Sequence, residues 1–122
     1  MRPLLTPEMI DRLPKLYEQE AIADPIVHAR FFFPAGSWIW LITEGGHNGD
    51  DFMFFGHVTG FEAEWGYFTL MELEEVNVAG VMIQRDEMFE PCPFSFCSGS
   101  GIAPYEPEEK EAADKNADTN PA

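Results

Sequence analysis

Between Ile26 and Thr69 the chain consists of four stretches of β-branched and aromatic residues, each cut from the next by a turn signal. Ile26 to Phe33 runs into Pro34-Ala35-Gly36-Ser37, and Trp38 to Thr43 is followed shortly by Gly45-Gly46-His47-Asn48-Gly49-Asp50. Phe52 to Thr59 ends at Gly60, and Phe61 to Thr69 completes the series. Short strands joined by short turns read as a meander, so the sheet is predicted to be mainly antiparallel. Trp38-Ile39-Trp40-Leu41-Ile42-Thr43 is apolar on both faces, which places it centrally or under a covering element. Residues 45–50 are predicted as a hairpin loop, with Asn48-Gly49 able to take positive φ, and Gly66 marks a bulge.

The flanks supply helices. Thr6-Pro7-Glu8 combines a capping hydroxyl, a proline at the first helical position and an acid at the positive end. Met9, Ile10, Leu13 and Leu16 follow at helical spacing, with a kink or restart expected at Pro14. Thr69 is placed to cap a short helix over Leu70 to Glu75, and Val81 to Gln84 reads as a last short strand. The expected fold is therefore α+β. A small sheet of four to five strands carries an N-terminal helix on one face and a short helix after the fourth strand.

Charge sets the function classes. The 122 residues include 22 Asp or Glu and 7 Lys or Arg, a formal net charge of −15. Residues 1–98 hold 16 acids against 5 bases, and residues 99–122 hold 6 against 2. The first segment is read as one folded domain. From Ser98-Gly99-Ser100-Gly101 onward little is left to bury, so 99–122 reads as an acidic, disordered tail. A field this negative argues against nucleic acid or anionic lipid as a direct ligand and favours basic partners. No apolar run reaches membrane-span length and no signal peptide precedes the first helical pattern, so a cytoplasmic location is expected.

An ordered set of short motifs carries a resemblance. Leu13-Pro14-Lys15-Leu16-Tyr17 is followed by Asp24-Pro25, Arg30-Phe31-Phe32 with Pro34, and Trp38-Ile39-Trp40. Phe54-Phe55-Gly56, Gly66-Tyr67-Phe68, Glu72-Leu73-Glu74 and Gln84-Arg85-Asp86 come next. Over residues 3–94 this resembles the bacterial domain of unknown function family DUF 2958. That family usually has lysine at the place of Arg30 and glutamate at the place of Gln84, so neither side chain is given a role. The resemblance implies no catalytic residues. It does imply the same small α+β fold and an accessory role on plasmids, integrative elements or phage-like regions.

Four constellations stand out as candidate sites. His47, Asp50 and Asp51 bring an imidazole and two carboxylates within five residues, enough to begin a metal site or an acid–base pair; the competing reading is a polar turn. Cys92 and Cys97 have the wrong spacing for the commonest zinc knuckle. A disulfide is geometrically open to them, but a reducing compartment favours two ordinary thiols. The aromatic set from Phe31 to Phe68 must largely be core. With one main helix to cover two apolar faces, an exposed patch for a partner or a homodimer is expected.

The acids form the fourth constellation. Glu62 and Glu64 are predicted to alternate on one strand about 7 Å apart, Glu72 and Glu75 to share a helix face, and Asp86, Glu87 and Glu90 to cluster past the sheet. Gly45-Gly46 and Gly56 make no phosphate loop, and no serine sits in a nucleophile elbow. The leading expectation is a non-enzymatic acidic binding protein of a mobile element. It would take a basic protein partner by imitating a nucleic-acid backbone, in the manner of an anti-CRISPR or anti-restriction inhibitor, and use no cofactor. A small metal-dependent enzyme using the His/Asp loop and an oligomeric structural protein are the alternatives.

Overall fold

The computed structural model describes residues 3–98, so the predicted tail at 99–122 lies outside the described residues. The elements run α1 (Pro7–Arg12), β1 (Ile26–Val27), β2 (Ala29–Phe32), β3 (Ile39–Asn48), β4 (Asp51–Thr59), β5 (Ala63–Thr69) and α2 (Leu70–Glu74). They continue through β6 (Asn77–Val78), β7 (Val81–Met82), β8 (Gln84–Arg85), β9 (Cys92–Pro93) and α3 (Phe94–Ser98). A five-stranded antiparallel sheet has the order β5-β4-β3-β2-β8, while β1 pairs with β9 and β6 with β7. This is the expected α+β class, with a helix at the N-terminus and a short helix after the fourth predicted strand.

Local chemistry explains the helix ends. The Thr6 hydroxyl accepts a hydrogen bond from the Met9 amide at 3.2 Å, with Pro7 in the first turn. The helix stops at Arg12 instead of kinking at Pro14, because a residue before proline is pushed out of the helical region; Leu13 is extended, at φ −66° and ψ 131°. At α2 the Thr69 hydroxyl accepts from the Glu72 amide, and the Glu72 carboxylate accepts from the Thr69 amide. That is a complete capping box.

Several strand boundaries differ from those expected. Gly45 to Asn48 belong to β3, and the hairpin closes over Gly49-Asp50 alone, with Gly49 at φ 64°. Gly45 marks a close approach and not a turn: a Cβ there would lie 2.5 Å from the Phe52 ring and 3.2 Å from Leu13. The bulge falls between Ile42 and Glu44, whereas Gly66 keeps regular register opposite Gly56. The predicted strand at 81–84 divides at buried Ile83, its first half pairing with β6 and its second joining the sheet beside β2. The predicted first strand likewise divides at His28, since β1 leaves the sheet to pair with β9.

The two faces are buried by different parts of the chain. On one, Phe31, Trp40, Ile42, Phe52, Phe54 and Phe68 meet Met9 and Leu13 from the N-terminal region and Leu73 and Ile83 from the segment after β5. Phe31 meets Phe54 edge-on with centroids 5.5 Å apart, a geometry aromatic pairs favour. On the other, Leu41 and Val27 meet Phe94 and Cys97, with Ile39, Trp65, Phe89 and Cys92 around them. The expectation of an uncovered second face is thus corrected where the C-terminal segment lies. Asp24 holds that segment by accepting from the Ser95 amide (2.9 Å) and hydroxyl (2.7 Å).

Cys92 and Cys97 are joined in a disulfide, which corrects the expectation of two thiols. Strand β9 runs straight into α3, and that fold-back brings the two Cα atoms to 6.1 Å, within bridging range.

Glycine positions give a sharp stability contrast. A Cβ on Gly56 would sit 2.0 Å from the Leu41 carbonyl oxygen, a backbone atom that cannot step aside, while one on Gly66 meets nothing within 4 Å. Gly56→Ala is expected to destabilise the fold by roughly 3 kcal/mol or more, and Gly66→Ala to change it by under about 1 kcal/mol. Urea denaturation of both variants checks the contrast.

Candidate functional site

The predicted acids divide between opposite edges of the sheet. Glu62 lies in the turn before β5, where its carbonyl accepts from the Gly60 amide, so it does not share a regular strand with Glu64 as expected. Both side chains are exposed, as are Glu72 and Glu75 just beyond the other end of β5. Asp86, Glu87 and Glu90 follow β8, the far edge, four strand spacings or roughly 19 Å away. Asp86 is already engaged: its carboxylate pairs with Arg30 at 3.1 Å and accepts from the Met88 amide. The Arg30 guanidinium also lies over the Phe32 ring, 5.3 Å from its centroid.

The His/Asp loop is committed differently from a metal site. Asp51 Oδ1 accepts from the amides of Phe52 (2.7 Å) and Met71 (3.1 Å), tying the hairpin to the start of α2. Desolvation would raise this carboxyl, but the bonds from Phe52, Met71 and Thr69 outweigh it and hold it below its ordinary value. The His47 ring meets Phe52 edge-on at 5.2 Å, and Asp50 is exposed in the turn. Among the described residues no three of His, Cys, Asp and Glu are grouped to hold a metal ion.

The most organised polar site lies elsewhere. Glu44, 3% exposed at the bulge in β3, accepts from the Tyr17 amide at 2.7 Å and the Gln19 amide at 2.8 Å, one bond to each carboxylate oxygen. Gln19 is also buried. Its amide nitrogen donates to the carbonyls of Ile26 and Thr43, both at 2.9 Å, and its oxygen accepts from the Ile26 amide at 2.8 Å. Tyr17 takes φ 76° to bring its own amide and that of Gln19 onto one carboxylate, an arrangement costing a non-glycine residue about 1–2 kcal/mol. The signal for Glu44 was an acid within an apolar run. Gln19, between Glu18 and Glu20, looked like any polar exit loop.

His57 is buried against Trp65 (5.3 Å) and Phe94 (4.9 Å), and burial lowers its pKa to about 4. It is therefore an uncharged part of the second-face core at neutral pH. Among the described residues no helix is long and apolar enough to cross a membrane.

The model of the family described as "Protein of unknown function (DUF2958)" matches residues 4–96, and the chain belongs to that family. No curated protein and no solved structure matches it.

Two measurements follow from the buried groups. Glu44→Ala strands one buried and one part-buried amide and is expected to lose roughly 3 kcal/mol of stability, with faster hydrogen exchange at the Tyr17 and Gln19 amides; Glu44→Gln, which keeps one acceptor, should lose less. For His57 the folded pKa lies below the unfolded value near 6.5, so the unfolded chain binds more protons between the two. Its contribution is present above pH 6.5 and lost as pH falls towards 4, to a total of about 3 kcal/mol. His57→Leu should flatten that part of the acid-stability profile, and an unchanged slope would count against the assignment.

Proposed function

We propose that this member of the family is a non-enzymatic acidic binding protein that engages a basic protein partner through exposed carboxylates. The observation that supports it is the β5 edge. Glu62, Glu64, Glu72 and Glu75 are strung along it, and no Lys or Arg among the described residues comes within ion-pairing distance of them. An ordinary surface intersperses the two signs. Here, among the described residues, the edge strand β5 and the helix that follows it present one sign to solvent.

A partner with a groove built for phosphates supplies the complementary charge. The mobile-element setting implied by the family resemblance favours a host nucleic-acid-binding protein, with inhibition of a defence system by backbone mimicry as the consequence. Association of this kind is fast and salt-sensitive, since steering beyond about 8 Å is screened at physiological ionic strength. Glu87 and Glu90, on the far edge, form a second acidic patch and do not extend the first.

The test is retention of basic nucleic-acid-binding proteins from a bacterial lysate on immobilised full-length chain. Capture at low salt should vanish at high salt and fall severalfold when Glu62, Glu64, Glu72 and Glu75 are changed together to glutamine. Capture indifferent to both salt and substitution would defeat the electrostatic reading.

A further inference from the structure

Among the described residues, one end of the second sheet face lies beyond the cover of β9 and α3, and it carries a row of rings. Trp65 stacks on Phe55 at 5.8 Å and 15°, Phe55 meets Tyr67 at 4.8 Å, and Tyr67 meets Tyr17 at 6.4 Å. Trp65 is packed against the Leu41–Phe94 cluster, but Tyr67 is 51% exposed and Tyr17 61%. The row thus runs from core to solvent. Its outer ring is contributed by the residue at φ 76°, fixed there by the Glu44 carboxylate.

The charge behind these rings is negative. Glu44 is buried beneath the Tyr17 turn with its bonds to backbone amides, and among the described residues no Lys or Arg pairs with it. Glu18 and Glu20 lie on the same turn, against the single base Lys15. Glu44 lies directly beneath the Tyr17 amide, at 2.7 Å. The Tyr67 phenol is held above its ordinary pKa, first by desolvation, then by its interaction with Tyr17 and by the charges of Glu44 and Glu20. Ring faces attract cations through their quadrupole, and carboxylates beside them strengthen that attraction.

We propose that Tyr17 and Tyr67, backed by Phe55, Glu20 and Glu44, seat an arginine side chain of the basic partner. The planar guanidinium stacks on an aromatic ring and offers its N–H groups to flanking carboxylates and phenols, which an ammonium does less well. This rests on the reading of the protein as a binder of basic partners. It adds to that reading an aromatic anchor distinct from the acids of the β5 edge, one that the partner's arginine would cover on binding, of the aromatic–arginine kind enriched at interface hot spots.

The experiment titrates the full chain with a short oligoarginine peptide, following tyrosine and tryptophan fluorescence across a salt series. Tyr67→Phe keeps the ring and should retain most of the affinity. Tyr67→Leu, and independently Tyr17→Leu, should weaken binding roughly three- to tenfold at fixed salt. Both sites are exposed, and thermal melts confirm that the variants are folded. If the wild type binds with salt sensitivity and both leucine variants bind equally well, the aromatic seat is overturned while the electrostatic reading stands. If the wild type does not bind even at low salt, both fall.

Discussion

A single buried carboxylate organises the joint between the N-terminal region and the sheet. Glu44 is placed inside by the bulge in β3, and a buried acid without partners would be costly. It is satisfied by two amides from the segment after α1, so that segment cannot leave without stranding the charge. Gln19 and the bond from the Gly45 amide to the Pro14 carbonyl (2.9 Å) extend the clasp in both directions. Leu13 and Leu16 are thereby laid against Gly45 and Gly46, where a side chain would leave less room. The helix, the irregular loop and the central strand are held as one unit by these bonds to Glu44, Gln19 and Pro14.

The sheet itself shows how a small domain buries two apolar faces with little helix. One face receives the N-terminal helix and the stretch after β5. The other receives β9 and α3, two short elements clipped by a disulfide and by Asp24. Neither covering layer is large, so aromatic rings fill much of the volume on both sides. The face left partly open is the one that carries the Tyr17–Tyr67 row.

Much of this fold was legible in the order of residues. The capping signals at Thr6 and Thr69, the four aromatic strands and the antiparallel meander follow from rules that act within a few residues. What was not legible depended on contacts far apart in sequence. Gly45-Gly46 look like a turn until Phe52 and Leu13 are known to press on them, and Cys92 and Cys97 look unpaired until β9 is seen to run into α3. The acids of the candidate surface were easy to find but not to group, because the strand order that sends them to opposite edges is a property of the whole sheet. Gln19 had no local mark at all; its role exists only where β3 bulges.

The covering of the second face by residues near 94–97 has a consequence for synthesis. A chain emerging N-terminus first completes the meander while Leu41, Ile39 and Trp65 still lack the partners that bury them. The pairing of β1 with β9 joins residues more than sixty positions apart, and β8 reaches its place beside β2 comparably late. Closure of the domain is therefore a late, long-range event, and the nascent sheet presents an apolar surface until the final described turn arrives.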